Sequence, residues 1–198
     1  MITTVTRRVA VALLALTLSA CANVSSSPPA TPTAPVTPAA AYRLLDDLCE
    51  QLDHNWSIRL AGVPPKFKAF EPLPAGKDHR RCHAGTVTTD QQTVILVTVH
   101  TRVDRSEPLD IGLPKSARLL DNVGDRGWIL FGKPISRPNE LLGGEITSRQ
   151  DQLTVVKGPA MVSVTIMIHA SSVPEESAAE AVLTAYAQRS LELMAGGQ

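Results

Sequence analysis

Aromatic side chains are scarce in this chain of 198 residues: two Trp, two Tyr and three Phe, 4% of the total. A core built from such a sequence has to take its bulk from aliphatic residues, and the few rings are drawn into it. Cysteine is also rare. There are three, and no Cys-x-x-Cys pair, so a thioredoxin-like redox motif is excluded. No apolar stretch reaches the roughly 20 residues that a helix needs to cross a bilayer. Charge of neither sign dominates, with 19 basic and 19 acidic residues, which excludes the electrostatic footprint of a nucleic-acid-binding protein. The chain has no Gly-x-Ser-x-Gly nucleophile elbow. Gly124-Asp125 and Gly143-Gly144 read as turns, since neither makes a phosphate loop.

What the sequence does have begins at its start. Arg7 and Arg8 precede an apolar stretch from Val9 to Leu18, and the run Leu18-Ser19-Ala20-Cys21 follows. A basic region, a short apolar region and small residues at the cut describe a secretory signal over residues 1–20. The last four residues resemble the lipobox of bacterial lipoproteins, in which the cysteine receives a diacylglyceryl group. Cys21 is therefore the expected lipidation site, and more than one buried acyl chain gives firm membrane attachment. Residues 22–40 carry no charge and five prolines among Ala, Ser, Thr, Val and Asn. Such a segment cannot bury a core. It reads as a tether whose extended reach is on the order of 50–60 Å at ~3.1 Å per residue. Residues 21–40 thus form the lipidated cysteine and tether, and 41–198 a globular domain.

Removing the first 20 residues leaves 178, with 17 basic and 19 acidic side chains. With Cys21 taken by lipid, Cys49 and Cys82 remain. Beyond the membrane the compartment is oxidising, which favours a structural bridge between them over two free thiols. A loop of 33 positions makes that bridge worth roughly 3–4 kcal/mol.

Leu44, Leu45, Leu48 and Leu52 recur at helical spacing, and Cys49 lies on the edge of that face. The stretch from Val63 to Gly76 is broken by prolines and reads as loop. Thr93 to Val103 is a strand with Ile95, Val97, Val99 and Val103 on one face. Lys115 to Asn122 reads as a short helical turn, Trp128 to Phe131 as a strand, and Ile146 to Ser148 as a short strand of its own. Leu153–Val156 and Met161–His169 form a hairpin across Lys157-Gly158-Pro159-Ala160. Ser172-Val173-Pro174-Glu175 reads as the capped start of a C-terminal helix with Ala179, Val182, Leu183, Tyr186, Ser190 and Leu193 on its inner face. The expected class is α+β: an antiparallel sheet of about four to six strands packed against an N-terminal and a C-terminal helix.

Candidate chemistry is thin. His79 and His83 flank Cys82 at a spacing of four, but a bridged Cys82 is no ligand. A solvated loop is the simpler reading of both histidines. Asp104, Glu107 and Asp110 lack the spacing and glycine of a Ca²⁺ loop. No metal or other cofactor is expected. Trp128, on a strand, and Met167, on a half-polar strand face, are the candidate ligand-binding residues, although core packing is the stronger reading of a tryptophan in so aromatic-poor a chain.

Leu48-Cys49-Glu50, Arg81-Cys82-His83, Val123-Gly124-Asp125-Arg126-Gly127, Leu153 to Gly158 with Val162-Ser163-Val164, and the alanine-rich C-terminal helix together resemble uncharacterised actinobacterial, mycobacterial-type envelope lipoproteins. The likeness spans residues 41–195 and extends distantly to extracellular sensor domains of Ser/Thr kinases. It implies a single disulfide-bridged α+β domain on the outer side of the cell membrane, held through Cys21. The expected role is non-enzymatic binding or scaffolding of an envelope protein or small ligand. The alternative is a carrier of a lipid or cell-wall glycan, with an envelope hydrolase a third reading.

Overall fold

The structure, a computed structural model, describes residues 42–62, 76–88, 93–103, 112–139 and 144–196, together with the backbone of 65–73. The signal segment, Cys21, the tether and the acidic loop with Asp104, Glu107 and Asp110 lie outside the described residues.

Three helices and eight strands follow one another in the order α1 (Leu48–Gln51), α2 (Asn55–Ala61), β1 (Pro65–Leu73), β2 (His79–Thr88), β3 (Val94–Val103), β4 (Arg118–Leu120), β5 (Arg126–Phe131), β6 (Ile135–Asn139), β7 (Gly144–Lys157), β8 (Ala160–Ala170) and α3 (Glu176–Ala195). All strands pair antiparallel in one sheet, ordered β1-β2-β3-β8-β7-β5-β4. The eighth strand, β6, pairs with the same edge of β7 that β5 uses. The fold is α+β, with more strands than expected.

Two expectations of loop or helix gave way to strand, and one short strand is part of a longer one. β1 occupies the proline-broken stretch, because an edge strand tolerates proline where its missing N–H faces solvent. β4 replaces the expected helical turn; Asn122 at φ 64° and Gly124 at φ 70° reverse the chain into β5. Ile146–Ser148 is continuous with the following strand, giving a β7 of 14 residues. β7 outlasts its partner: β5 pairs with 151–156 and β6 with 144–148. At the break, Gly132 sits so close to β7 that a Cβ there would meet the Gln150 carbonyl oxygen at 2.3 Å.

Strand alternation places one face of the sheet in the core. Ile95, Val97 and Val99 of β3, Leu153 and Val155 of β7, and Val162, Val164, Ile166 and Ile168 of β8 are all buried on it. α3 packs over these residues through Ala179, Leu183, Tyr186, Ala187, Ser190, Leu191 and Met194. Each large apolar side chain so buried contributes roughly 1.5–3 kcal/mol. Val182 and Leu193, expected on that face, are only partly buried. α3 also starts later than Ser172: its N-cap is Glu175, without a side-chain cap.

The single N-terminal helix is replaced by an extended segment and two short helices. The Arg43 N–H donates to the Met194 carbonyl at 3.0 Å, which ties residues 42–45 alongside the end of α3 instead of leaving them free to coil. Leu52 is extended, and the Asp53 carboxylate accepts the Asn55 N–H at 3.0 Å to start α2. The leucines still reach the core: Leu45, Leu48 and Leu52 are buried.

On the core face itself, in register with Ile168 and Ile166 of β8, lies a buried ion pair. Arg149 Nε donates to Asp151 at 2.9 Å, with side chains 5% and 0% exposed. Gly132 N–H adds a bond to the other carboxylate oxygen at 3.2 Å. Burial pushes the Asp151 carboxyl above its ordinary range, against the opposing pull of Arg149.

Candidate ligand-binding cleft

Cys49 of α1 and Cys82 of β2 form a disulfide, with Cα atoms 5.1 Å apart. The bridge fastens the N-terminal helices to the sheet. A buried polar network sits beside it. His54 Nε2 lies 2.7 Å from the Cys49 carbonyl oxygen, an acceptor only, so Nε2 carries the proton. Nδ1 then accepts from the Tyr186 hydroxyl at 3.4 Å. Ser57 donates to the His54 carbonyl at 2.8 Å and lies 3.3 Å from Thr86 Oγ1. Burial pushes the Tyr186 phenol up to about 12. Trp56 stands edge-on to Tyr186, ring centroids 4.9 Å apart.

Among the described residues, Cys49, His54 and Cys82 are the one group of three metal-type ligands within reach of each other, inside 4.8 Å. The geometry does not make a metal centre. Both sulfurs are spent on the disulfide, and the protonated nitrogen of His54 is spent on a carbonyl.

At the C-terminal end of α3 the surface opens into a cleft of about 390 Å³. Four separate segments build it. Tyr42 comes from the extended N-terminal stretch, Asn122 and Gly124 from the β4–β5 turn, and Lys157 from the tip of the β7–β8 hairpin. Gln188, Leu191, Glu192 and Ala195 come from the last turns of α3. The two turns are braced to one another: Asp125 N–H donates to the Val156 carbonyl at 2.8 Å, and the Asp125 carboxylate accepts the Gly158 N–H at 2.7 Å. Gly124 is required there. Its φ is +70°, and a Cβ would meet Val155 Cγ1 at 2.5 Å and the Val156 carbonyl oxygen at 2.6 Å. Burial, and after it the charge of Asp125, raises the Tyr42 phenol above its usual value.

The lining offers two amides, an ammonium, a carboxylate and the apolar flank of Leu191 and Ala195. Glu192 is shared with Arg189, 3.3 Å away. Such a surface can orient a polar molecule by hydrogen bonds of both kinds. It contains no Ser, Thr, Cys or His.

The candidates named from sequence lie elsewhere. Trp128 is 4% exposed and packs with Val156, Met161 and Ala117 in a small cluster on the sheet face away from the helices. Met167 lies half-buried on that same face, in register with Gln150, whereas Trp128 is in register with Thr154. The structure therefore does not bring the two together, and neither lines the cleft. His79 contacts Asp78 and the ring of His100, while His83 contacts Thr98, so β2 does not join the two histidines. Ser148 Oγ and His169 Nδ1 meet at 2.7 Å across β7 and β8. No carboxylate of the described residues orients that histidine, and a triad is not formed. Sequence reasoning passed over Tyr42, Asn122, Lys157, Gln188 and Glu192. The available signal was the pair of glycine turns at Gly124 and Gly158, which point to the same corner of the fold.

No protein-family model matches the chain, and no curated protein matches it in sequence.

Proposed function

We propose that this protein is a lipid-anchored component of a bacterial cell envelope whose folded domain binds a ligand or partner without altering it chemically. The lipobox-like run ending at Cys21 and the uncharged tether support the anchoring. The Cys49–Cys82 disulfide accords with an oxidising compartment. The observation that carries the binding role is the open cleft of about 390 Å³ at the end of α3, within the range of small-molecule sites. Its amides and paired charges suit a small polar molecule that presents both donors and acceptors. Of the carrier readings, the polar lining favours a glycan fragment over a lipid, whose chains need apolar walls.

Native mass spectrometry of the full chain, extracted from its host in mild detergent, tests this. A bound adduct is expected on the wild type and is expected to vanish from the Lys157→Ala/Gln188→Leu double variant at unchanged Tm. A bare wild type, or an adduct that survives both substitutions, refutes the reading.

A further inference from the structure

The helices cover one face of the sheet and leave the other open, and the two faces differ sharply in charge. On the open face, β2 presents Arg81, β3 Arg102, β5 Arg126 and β6 Arg137. Four of the chain's five histidines, His79, His83, His100 and His169, hold positions on the same face. Among the described residues, the open-face positions of β2, β3, β5, β6, β7 and β8 contain no Asp or Glu, while on the edge strand β1 Glu71 is in register with His83. Arg and His thus outnumber acids on this face, whereas on the helix side Asp46 pairs with Arg80 and Glu180 with Arg118.

The cationic end of the face is tightly built. His79 and His100 rings meet at 5.3 Å. Asp78 serves both His79, at 3.0 Å, and Arg102, at 3.6 Å. Arg81 is exposed and in register with His100. His100 Nε2 is buried and finds no hydrogen-bond partner among the described residues. Burial, and after it the neighbouring His79, Arg81 and Arg102, lower the pKa of His100 against the opposing charge of Asp78. From Arg81 the row continues through His100, Ser163 and Thr154 to Trp128. Gln152 donates to Ser163 Oγ at 3.0 Å in the middle of the face.

We propose that this open face is a docking surface for an acidic polysaccharide. The arginines meet its carboxylate or phosphate groups, and the central band of Ser, Thr and Gln meets sugar hydroxyls. From β2 to β5 the face is about 19 Å wide at ~4.8 Å per strand, broad enough for several sugar units. Single-stranded nucleic acid is a poorer fit, because the face offers no exposed Trp, Tyr or Phe ring among its described residues: Trp128 is buried. The exposed apolar residues Leu119 and Ile135 sit at the opposite margin, on β4 and β6. The site is separate from the cleft, so either assignment can fail without the other.

The test is binding of the full chain to polygalacturonate, with neutral dextran, polyglutamate and anionic phospholipid vesicles as parallel arms. Binding to polygalacturonate alone is expected, and it should weaken as salt screens the charges. Arg81→Glu/Arg137→Glu should weaken it by about tenfold or more at unchanged Tm, whereas Lys157→Ala in the cleft should leave it intact. No binding to polygalacturonate, equal binding to polyglutamate or vesicles, or indifference to both charge reversals overturns the proposal.

Discussion

At the scale of single residues, the most consequential pair is Arg149 with Asp151. Both are buried, and each charge is tolerated only because the other is present. Arg149→Met removes the counter-charge and leaves a buried carboxylate; a loss of about 3–5 kcal/mol is expected by denaturant unfolding. Arg149→Met/Asp151→Leu removes both and should regain most of that loss. The pH dependence has a definite sign. Burial raises the folded carboxyl above its unfolded value, so the folded state holds the extra proton in the window just above the ordinary carboxylate range. Stability contributed by this group therefore falls as pH rises through that window. Neither residue stood out in the sequence, since one arginine and one aspartate two apart look like any solvated strand edge. Their burial follows from the sheet register, which sets them on the core face opposite Ile168 and Ile166, a property of the folded chain.

At the scale of elements, the disulfide is the main staple between the N-terminal helices and the sheet. Cys49→Ala/Cys82→Ala should cost roughly 3–4 kcal/mol for a loop of this length, read as a fall in Tm by calorimetry. An unchanged Tm would mean that the leucines of this segment hold it without the bridge. The legible elements were those with a plain periodicity. β3 and β8 alternate strictly because one face of each meets the core, and that alternation is visible in Val/Ile spacing. β1 was hidden by Pro65 and Pro72, which mark an edge strand as readily as a loop. In the N-terminal segment, the leucine spacing identified which residues are buried. It did not reveal that the chain extends at Leu52, a choice made by the Arg43–Met194 and Asp53–Asn55 hydrogen bonds. The cleft was illegible for a different reason. Its walls come from residues near 42, 122, 157 and 190, and only the sheet order brings those four segments to one corner.

At the scale of the whole molecule, the folded domain has two unlike sides. One carries the helices and the polar cleft; the other, among the described residues, is a sheet face free of helices and rich in Arg and His. On the proposed reading a tether with a reach on the order of 50–60 Å leaves both sides free to meet envelope components. That reading rests most heavily on Cys21, because lipidation there defines the compartment, leaves Cys49 and Cys82 as a matched pair, and sets the distance from the bilayer. Mass spectrometry of the N-terminal peptide from the membrane fraction measures it directly. The account predicts a mature chain that begins at Cys21 and carries the mass of a diacylglyceryl group, and a Cys21→Ala protein that leaves the membrane fraction. An unmodified N-terminus in the wild type, or a Cys21→Ala protein that stays with the membrane, contradicts it.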